Sequence, residues 1–211
     1  MKKILLGTAL LAIPFLSSAQ EGFKYGGKLG LNMANIVGTD LFEVSSKTGL
    51  HIGPIAHYGF GDEGNFSVIG ELLFDMKGAK YGDDPLALNY LTIPIMPRYR
   101  FNFGMYLETG IYLGFLMGAS IDGESSYDDV DADGNTISRN VKDRYEGMDF
   151  GYTVGIGYIH ESGIGIGYRY NLGLKDIHKP VEVDGFGDID IDTNIHTVGQ
   201  ISLMYYLNWT D

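Results

Sequence analysis

The chain has 211 residues and no cysteine, and it carries 27 acidic against 15 basic side chains, a formal net charge of −12. An acidic chain is repelled by phosphates, so no nucleic-acid partner is expected. The lack of cysteine excludes a disulfide scaffold, a thiolate metal site, a cysteine nucleophile and a lipidated cysteine. Glycine accounts for 31 residues and aromatic side chains for 13% of the chain, a combination that favours strands over helices or disorder.

The first 19 residues have the features of a secretory signal peptide. Two lysines open the chain, residues 4–16 are apolar, and small residues at Ser17 and Ala19 suit cleavage before Gln20. The apolar run is interrupted by Pro14 and is shorter than the roughly 20 residues of a spanning helix. We therefore predict a signal peptide at 1–19, followed by one exported domain at 20–211.

After the leader, apolar residues recur with a period of two, the pattern of strands whose two faces meet different surroundings. In residues 105–117 the odd positions are almost all apolar, whereas the even positions include Glu108 and two glycines. The same pattern predicts eight strands, at 24–36, 47–60, 65–80, 89–101, 105–119, 148–160, 164–175 and 195–209.

The connections between these strands alternate between short and long. Residues 61–64, 102–104 and 161–163 are short, whereas 37–46, 81–88, 120–147 and 176–194 are long. Short turns on one side and long loops on the other are typical of outer-membrane barrels, whose closure leaves no strand edge exposed to lipid. The predicted fold is therefore all-β, an eight-stranded antiparallel up-and-down transmembrane β-barrel.

A soluble eight-stranded barrel with an apolar interior is the alternative fold. Two features argue for the membrane barrel. The opposite, inward face of the sixth and seventh strands is rich in glycine, as a crowded interior requires. Aromatic residues also occur on the apolar parity near the short turns and the termini, where a membrane barrel carries a girdle; they are Tyr25, Tyr58, Phe60, Phe66, Tyr99, Phe101, Phe103, Tyr158, Tyr205 and Trp209.

Charged residues on the inward parity nearly balance, with five basic and four acidic side chains; they are Lys28, Lys77, Arg98, Arg100, Arg169, Glu71, Asp75, Glu108 and Asp149. Ions inside so narrow a barrel must pair. Pairing Phe101 with Met105 across the short turn sets Arg98 opposite Glu108. Pairing residue 80 with 89 would bring Glu71 beside Arg98. We predict a lumen ion network of Glu71, Arg98 and Glu108, with Arg100 as the central cation if the register slips by two.

The two longest loops hold most of the negative charge. Loop 120–147 has eight acidic and three basic residues, and loop 176–194 has six acidic and one basic. Within the first, Asp129, Asp131 and Asp133, followed by glycine, reproduce the opening of a calcium-binding loop, although Asn140 stands where the bidentate glutamate is expected. The sequence thus predicts either a solvating acidic surface or a calcium site; no other cofactor is expected.

Several segments resemble the PorT-like outer-membrane β-barrel family of Bacteroidetes: GLNMANI (30–36), KTGLHIG (47–53), GELLFDMKGAK (70–80), LNYLTIPIMPRYRF (88–101), YLETGIYLGFLMGA (106–119) and GIGIGYRYNLGLKDI (163–177). The resemblance implies an eight-stranded barrel in the outer membrane of a Gram-negative cell envelope. It supplies no catalytic residues. The association of PorT with type IX secretion does not transfer on this similarity.

We therefore expect a small outer-membrane barrel with a structural or surface-interaction role, whose contacts run through the acidic loops. Its surroundings would be outer-membrane lipid and lipopolysaccharide, its partners extracellular or envelope proteins, and its state monomeric. Small-solute transport, a secretion-associated role and hydrolysis are the alternatives. Five histidines make a hydrolase conceivable. His160 and Ser162, however, share one short turn and cannot form a triad among their own neighbours, and Asp176 with His178 has no evident nucleophile, so no enzymatic activity is expected.

Overall fold

The computed structural model describes residues 22–38, 44–60, 65–130, 134–178, 181–183, 187–189 and 194–209. The predicted signal peptide lies outside them. The strands, in chain order, are β1 Phe23–Val37, β2 Val44–Phe60, β3 Phe66–Glu71, β4 Leu73–Tyr81, β5 Asp84–Arg100, β6 Met105–Ile121, β7 Ser126–Val130, β8 Thr136–Asn140, β9 Met148–Ile159, β10 Ile164–Gly173, β11 Val181–Val183, β12 Gly187–Ile189 and β13 Ile195–Tyr206. A 3-10 helix, Val141–Arg144, follows β8. No helix in the described ranges is long and apolar enough to cross a membrane.

Antiparallel pairing joins the long strands into a ring. β1 pairs with β13 on one side and with β2 on the other. From β2 the ladder continues through β3 and β4 to β5, and then through β6, β9 and β10 back to β13. Because β3 and β4 together occupy one position, eight strand positions surround the lumen. The predicted all-β antiparallel fold is confirmed.

The break between β3 and β4 has a local cause in the facing strand. Continuing the register from Gly70 opposite Ile95 places Glu71 opposite Pro94. Proline has no N–H to donate to the ladder, so pairing is interrupted there. Leu72 stays attached on the other side, where its N–H donates to the Pro54 carbonyl over 3.2 Å.

The two faces of the sheet differ as the sequence predicts. Along β6 the odd residues point outward, with Leu113 at 40% exposure, whereas even residues such as Tyr106 and Tyr112 are buried. Along β10 the even residues point outward, with Tyr168 at 46% exposure. The outer wall thus carries a band of apolar side chains, and the buried charged residues face the lumen. A bilayer is the environment that favours this arrangement.

The prediction of a long loop at 81–88 is wrong. Residues 81–88 do not form a long connection, because Tyr81 pairs directly with Asp84 across a turn of Gly82 and Asp83. Gly82 has a φ of +60°, which glycine adopts without strain. The strands continue past the apolar band, where the outward residues become polar and the period-two signal of the sequence ends.

Trp209 is also placed wrongly by the sequence pattern. It is only 8% exposed and packs against the Tyr206 ring, with centroids 4.8 Å apart, instead of joining the outer aromatic girdle. The chain turns at residues 207–208, which ends the alternation. Asn208 fixes this turn, because its side chain accepts a hydrogen bond from the Tyr25 N–H and donates one to the Phe23 carbonyl, both over 2.9 Å.

Two names are used below for the ends of the barrel. The turn end carries the short connections 102–104 and 161–163, and the loop end carries the connections 120–147 and 176–194. Both loops contain paired strands. β7 and β8 form a hairpin within the first loop, and β11 and β12 pair within the second.

Glycines on the inner wall make room for large lumen side chains, and this gives a testable prediction. A methyl group at Gly167 would lie against the Tyr106 hydroxyl, well inside contact distance, and 3.3 Å from Cε of Met204. We expect Gly167→Ala to lower the free energy of unfolding by about 1–3 kcal/mol, as over-packing does. Urea unfolding of the refolded barrel measures it.

The Gly167→Ala prediction has a rescue and a control. Tyr106→Phe removes the clashing hydroxyl and leaves the next ring atom 3.5 Å away, so the double variant should recover most of the loss. Gly70→Ala, where nothing lies within 4 Å, should change stability little. Equal losses of stability in Gly167→Ala and Gly70→Ala, or no recovery in the double variant of Gly167→Ala and Tyr106→Phe, would contradict this packing.

Candidate functional site

The middle of the lumen is occupied by a central ion network, defined as Lys28, Glu71, Arg98, Glu108 and Arg169. Arg169 lies at its centre. Nη1 and Nη2 donate to the two oxygens of Glu71 over 2.8 and 2.9 Å, and Nε and Nη2 donate to Oε1 of Glu108 over 3.0 and 2.8 Å. This guanidinium therefore joins carboxylates from two different strands, which ties opposite parts of the wall together.

The other two cations complete the pairing. Arg98 donates to Oε2 of Glu108, with Nη2 at 2.7 Å, and Lys28 Nζ lies 3.2 Å from Oε2 of Glu71. Every charged side chain of the network is at most 3% exposed. Ions so far from solvent are stable only when each has close partners of opposite charge. The network thus crosses the lumen as a set of mutually paired side chains.

The predicted neighbours come together in a different way from the one expected. Arg98 lies opposite Glu108, as predicted from pairing Phe101 with Met105 across the short turn. Glu71 does not lie beside Arg98, because Lys80 pairs with Pro85 instead of residue 89, a shift of four that sets Ser67 opposite Arg98. The predicted cross-strand placement of Glu71 beside Arg98 is therefore wrong, and Glu71 joins the network through Arg169 and Lys28 instead.

Arg100 lies outside the network. Its guanidinium sits at the turn end, 5.0 Å from the centroid of the Trp209 ring. The network residues that the sequence prediction missed are Lys28 and Arg169. Both stand on the inward parity of their strands, which is the signal that could have included them, but their partners depend on the register around the whole ring.

A second ion cluster lies nearer the loop end. Lys77 Nζ is 3.0 Å from Asp149 and 3.9 Å from Asp75. Its charge also faces the rings of Tyr112 and Tyr90, with centroids at 4.4 and 5.0 Å, which stabilises a cation away from water. The Tyr112 hydroxyl donates to both oxygens of Asp149.

Three lumen residues have the hydrogen-bond order of a hydrolase. Ser202 Oγ lies 2.9 Å from Nε2 of His51, and Nδ1 of His51 lies 2.7 Å from Oδ1 of Asn32. Each side chain is at most 3% exposed, and Asn32 is further bound to Asp75 over 2.6 Å. A nucleophile must be within reach of its substrate. Because Ser202, His51 and Asn32 are buried, we interpret this row of hydrogen bonds as a structural support inside the lumen.

Two apolar clusters close the ends of the lumen. The loop-end cap comprises Ile36, Ala79, Leu86, Leu88, Tyr90, Leu116, Ala119, Val141, Tyr145 and Ile177. The turn-end plug comprises Ile55, Ile69, Met96, Tyr106, Ile159, Met204, Tyr206 and Trp209. Together with the two ion clusters they occupy successive levels of the lumen among the described residues.

The two acidic loops are joined to each other above the loop-end cap. Tyr145 and His178 form a β-bridge, and their rings lie 5.2 Å apart. The Glu146 N–H donates to the Ile177 carbonyl over 2.8 Å, and the Glu146 carboxylate lies 2.7 Å from Nζ of Lys175. Burial here raises the pKa of Tyr145 to about 12 and lowers the pKa of His178. These contacts give the loops a defined base.

The calcium hypothesis rests on residues that are described only in part. Asp129 lies at the end of β7, where its carboxylate is 2.7 Å from Nε of Arg139, whereas Asp131 and Asp133 lie outside the described residues. In the part of the chain that the structure covers, no group of three His, Asp or Glu side chains is placed to hold a metal.

The calcium site stays a prediction, and calorimetry can test it. If the aspartates bind the ion, titrating millimolar calcium into the detergent-folded barrel should release or absorb heat. The triple variant Asp129→Asn, Asp131→Asn, Asp133→Asn should abolish that heat. No signal with the wild-type protein, or the same signal with the variant, would remove the site.

A comparison with protein families identifies the family of the chain. A model of the family "Outer membrane protein beta-barrel domain" matches residues 18–179. No curated protein matches the sequence. Among solved structures, Ail of Yersinia pestis is similar, with 15% identity, a TM-score of 0.48, and coverage of 89% of this chain and 100% of Ail. Neisserial surface protein A has 15% identity, a TM-score of 0.47, and coverage of 88% and 99%. OprG of Pseudomonas aeruginosa has 12% identity, a TM-score of 0.39, and coverage of 89% and 95%.

Proposed function

Since the chain belongs to the family of outer membrane protein β-barrel domains, we propose that it is a non-conducting outer-membrane barrel that presents its acidic loops as an interaction surface. Within the family we assign it to the PorT-like barrels, on the segments at 88–101 and 163–177. Its partners are extracellular or envelope proteins, and it acts as a monomer in lipid and lipopolysaccharide.

The observation that carries this proposal is the filled lumen. Arg169 bonds two carboxylates from different strands, and apolar clusters lie beyond the ion clusters at both ends. A solute crossing the barrel would have to break buried ion pairs, each of which costs several kcal/mol to separate. Solute transport is therefore disfavoured, and the part of the protein left to make contacts is the external surface.

The external loops suit contact better than a flexible tail would. The β7–β8 hairpin, Ser126–Val130 with Thr136–Asn140, projects from a base that is packed on the barrel. Arg144 stacks on the Tyr127 ring at 3.8 Å, which links the hairpin to the helix beneath it. A surface that is ordered before binding loses less conformational entropy when a partner docks.

A hairpin deletion tests the proposal. In a strain that lacks the gene, the wild-type protein is compared with a variant in which residues 126–140 are replaced by two glycines. If the hairpin is the contact surface, the variant should still reach the outer membrane and remain folded in detergent. It should lose the attachment or assembly phenotype that the wild-type protein restores.

The matched control alters the hairpin without removing it. Ser138→Ala, at an exposed position of β8, should behave as the wild-type protein does. If the deletion variant restores the full phenotype, the acidic hairpin is not the contact surface and the proposed contact through loop 120–147 is wrong.

A further inference from the structure

The outer wall of the barrel contains a groove near the turn end, with a volume of about 300 Å³. Arg98 and Glu108 border it, but their side chains belong to the central ion network inside the lumen, so they contribute the strand backbone at its floor. The groove therefore lies on the lipid-facing side of the wall. Its outward side chains, from β3, β5 and β6, are Phe66, Pro97, Tyr99, Leu107 and Thr109.

Side chains of unequal length produce this wall groove. By the register that β5 and β6 keep on both sides of the position, Pro97 lies opposite Thr109, and these two short side chains form one row. The next row toward the turn is tall. It contains the rings of Phe66 and Tyr99, with centroids 4.8 Å apart, and the exposed side chain of Leu107. The short row beside the tall row is the trough of the groove.

The lining of the wall groove is apolar although it includes a threonine. The Thr109 hydroxyl donates to the Thr153 carbonyl over 3.2 Å, so the wall itself satisfies this group. Phe66 and Leu107 present hydrocarbon, at 63% and 49% exposure. A ligand in the groove is therefore recognised by its shape and by hydrocarbon contact.

The wall groove lies at the depth of one lipid leaflet. Thr109 is four residues from the start of β6, about 13 Å along the strand, and the hydrocarbon of one leaflet is roughly 15 Å thick. From Tyr99 a row of rings continues toward the turn through Phe101 and Phe103, with centroids 5.0 and 5.4 Å apart. Such rings lie at the head-group level. Because the short connections of these barrels face the periplasm, the adjoining lipids are phospholipids of the inner leaflet.

We propose that the wall groove holds one acyl chain of an inner-leaflet phospholipid as a bound lipid. Within hydrocarbon, association is driven by packing and not by release of water. A chain on a smooth wall touches protein on one side, whereas a chain in the groove also touches Phe66 and Leu107. An empty trough would forfeit these contacts. A second barrel fits less well, because its convex wall cannot reach the floor between these side chains.

Native mass spectrometry of the detergent-folded barrel, incubated with palmitoyl-oleoyl phosphatidylethanolamine, tests this site. The wild-type protein should retain one lipid per barrel. Thr109→Phe places a ring in the groove and should weaken lipid binding about tenfold, the effect of losing roughly ten carbon contacts. Leu203→Phe is the matched control, because it adds a ring to an exposed position of β13, which does not border the groove. It should retain lipid as the wild-type protein does.

Two other probes separate the chain from the head group. Phosphatidylglycerol with the same chains should bind equally well, and glycerophosphoethanolamine, which has no chains, should not bind. The proposal is overturned if the wild-type barrel retains no lipid, if Thr109→Phe retains as much, or if the wild-type protein forms a dimer that Thr109→Phe dissociates. Should Thr109→Phe fail to fold, Phe66→Ala removes one side of the groove and is judged by the same outcomes.

Discussion

Replacing Arg169 by Met should lower the free energy of unfolding by about 3–5 kcal/mol, the usual effect of removing one partner from a buried ion pair. Because Met fills a similar volume, the loss of stability comes mainly from removing the positive charge of Arg169. Glu71 and Glu108 both depend on this guanidinium, at 2.8 Å each. Without it, the ion pairs within 4 Å that remain among the described residues are Lys28 with Glu71 and Arg98 with Glu108.

Urea unfolding of the refolded barrel measures this effect, and the sole tryptophan of the chain, Trp209, provides the fluorescence signal. Arg139→Met is the control, because the Arg139–Asp129 pair has similar length but about half-exposed side chains. Exposed pairs contribute about 0–1 kcal/mol. Equal losses in the two variants would show that the central network does not stabilise the barrel.

Lys77→Met should destabilise the loop-side half of the lumen to a similar extent, about 3–5 kcal/mol. The substitution leaves the carboxylates of Asp75 and Asp149 buried without the cation that lies between them at 3.9 and 3.0 Å. Removing the stranded charge should then help. Adding Asp149→Asn to Lys77→Met is expected to recover part of the loss.

A double-mutant cycle over Lys77 and Asp149 measures this coupling from four unfolding curves. Residues in direct contact commonly couple by about 0.5–3 kcal/mol, whereas distant residues are additive. Strict additivity of Lys77→Met and Asp149→Asn would mean that their 3.0 Å contact contributes nothing to stability.

The parts of the fold that sequence could predict are those where lipid imposes a pattern. Leu113 and Tyr168 are outward because alternation is unbroken wherever one face of a strand meets hydrocarbon. The pattern ends where lipid ends. The sequence pattern therefore assigns Leu86 and Leu88 to a loop, whereas the structure places them in β5, within the loop-end cap.

The strand register around the ion network could also be predicted from the sequence only in part. The three-residue turn before β6 determines the partner of Arg98, and Glu108 is found there. The partner of Glu71 depends on a connection whose length cannot be deduced from alternation. An error of four residues there placed Glu71 opposite Arg98, whereas the register sets it opposite Pro94. Arg169 bonds to Glu71 from across the lumen, and no pattern along a single strand contains that contact.

Recording currents across planar lipid bilayers that contain the purified wild-type barrel tests the filled lumen most directly. With paired ions at the centre and apolar clusters at both ends, the wild-type protein should give no conductance steps above those of the bare bilayer. Stable steps whose reversal potential follows an imposed salt gradient would show an open ion path through the lumen and would contradict the account.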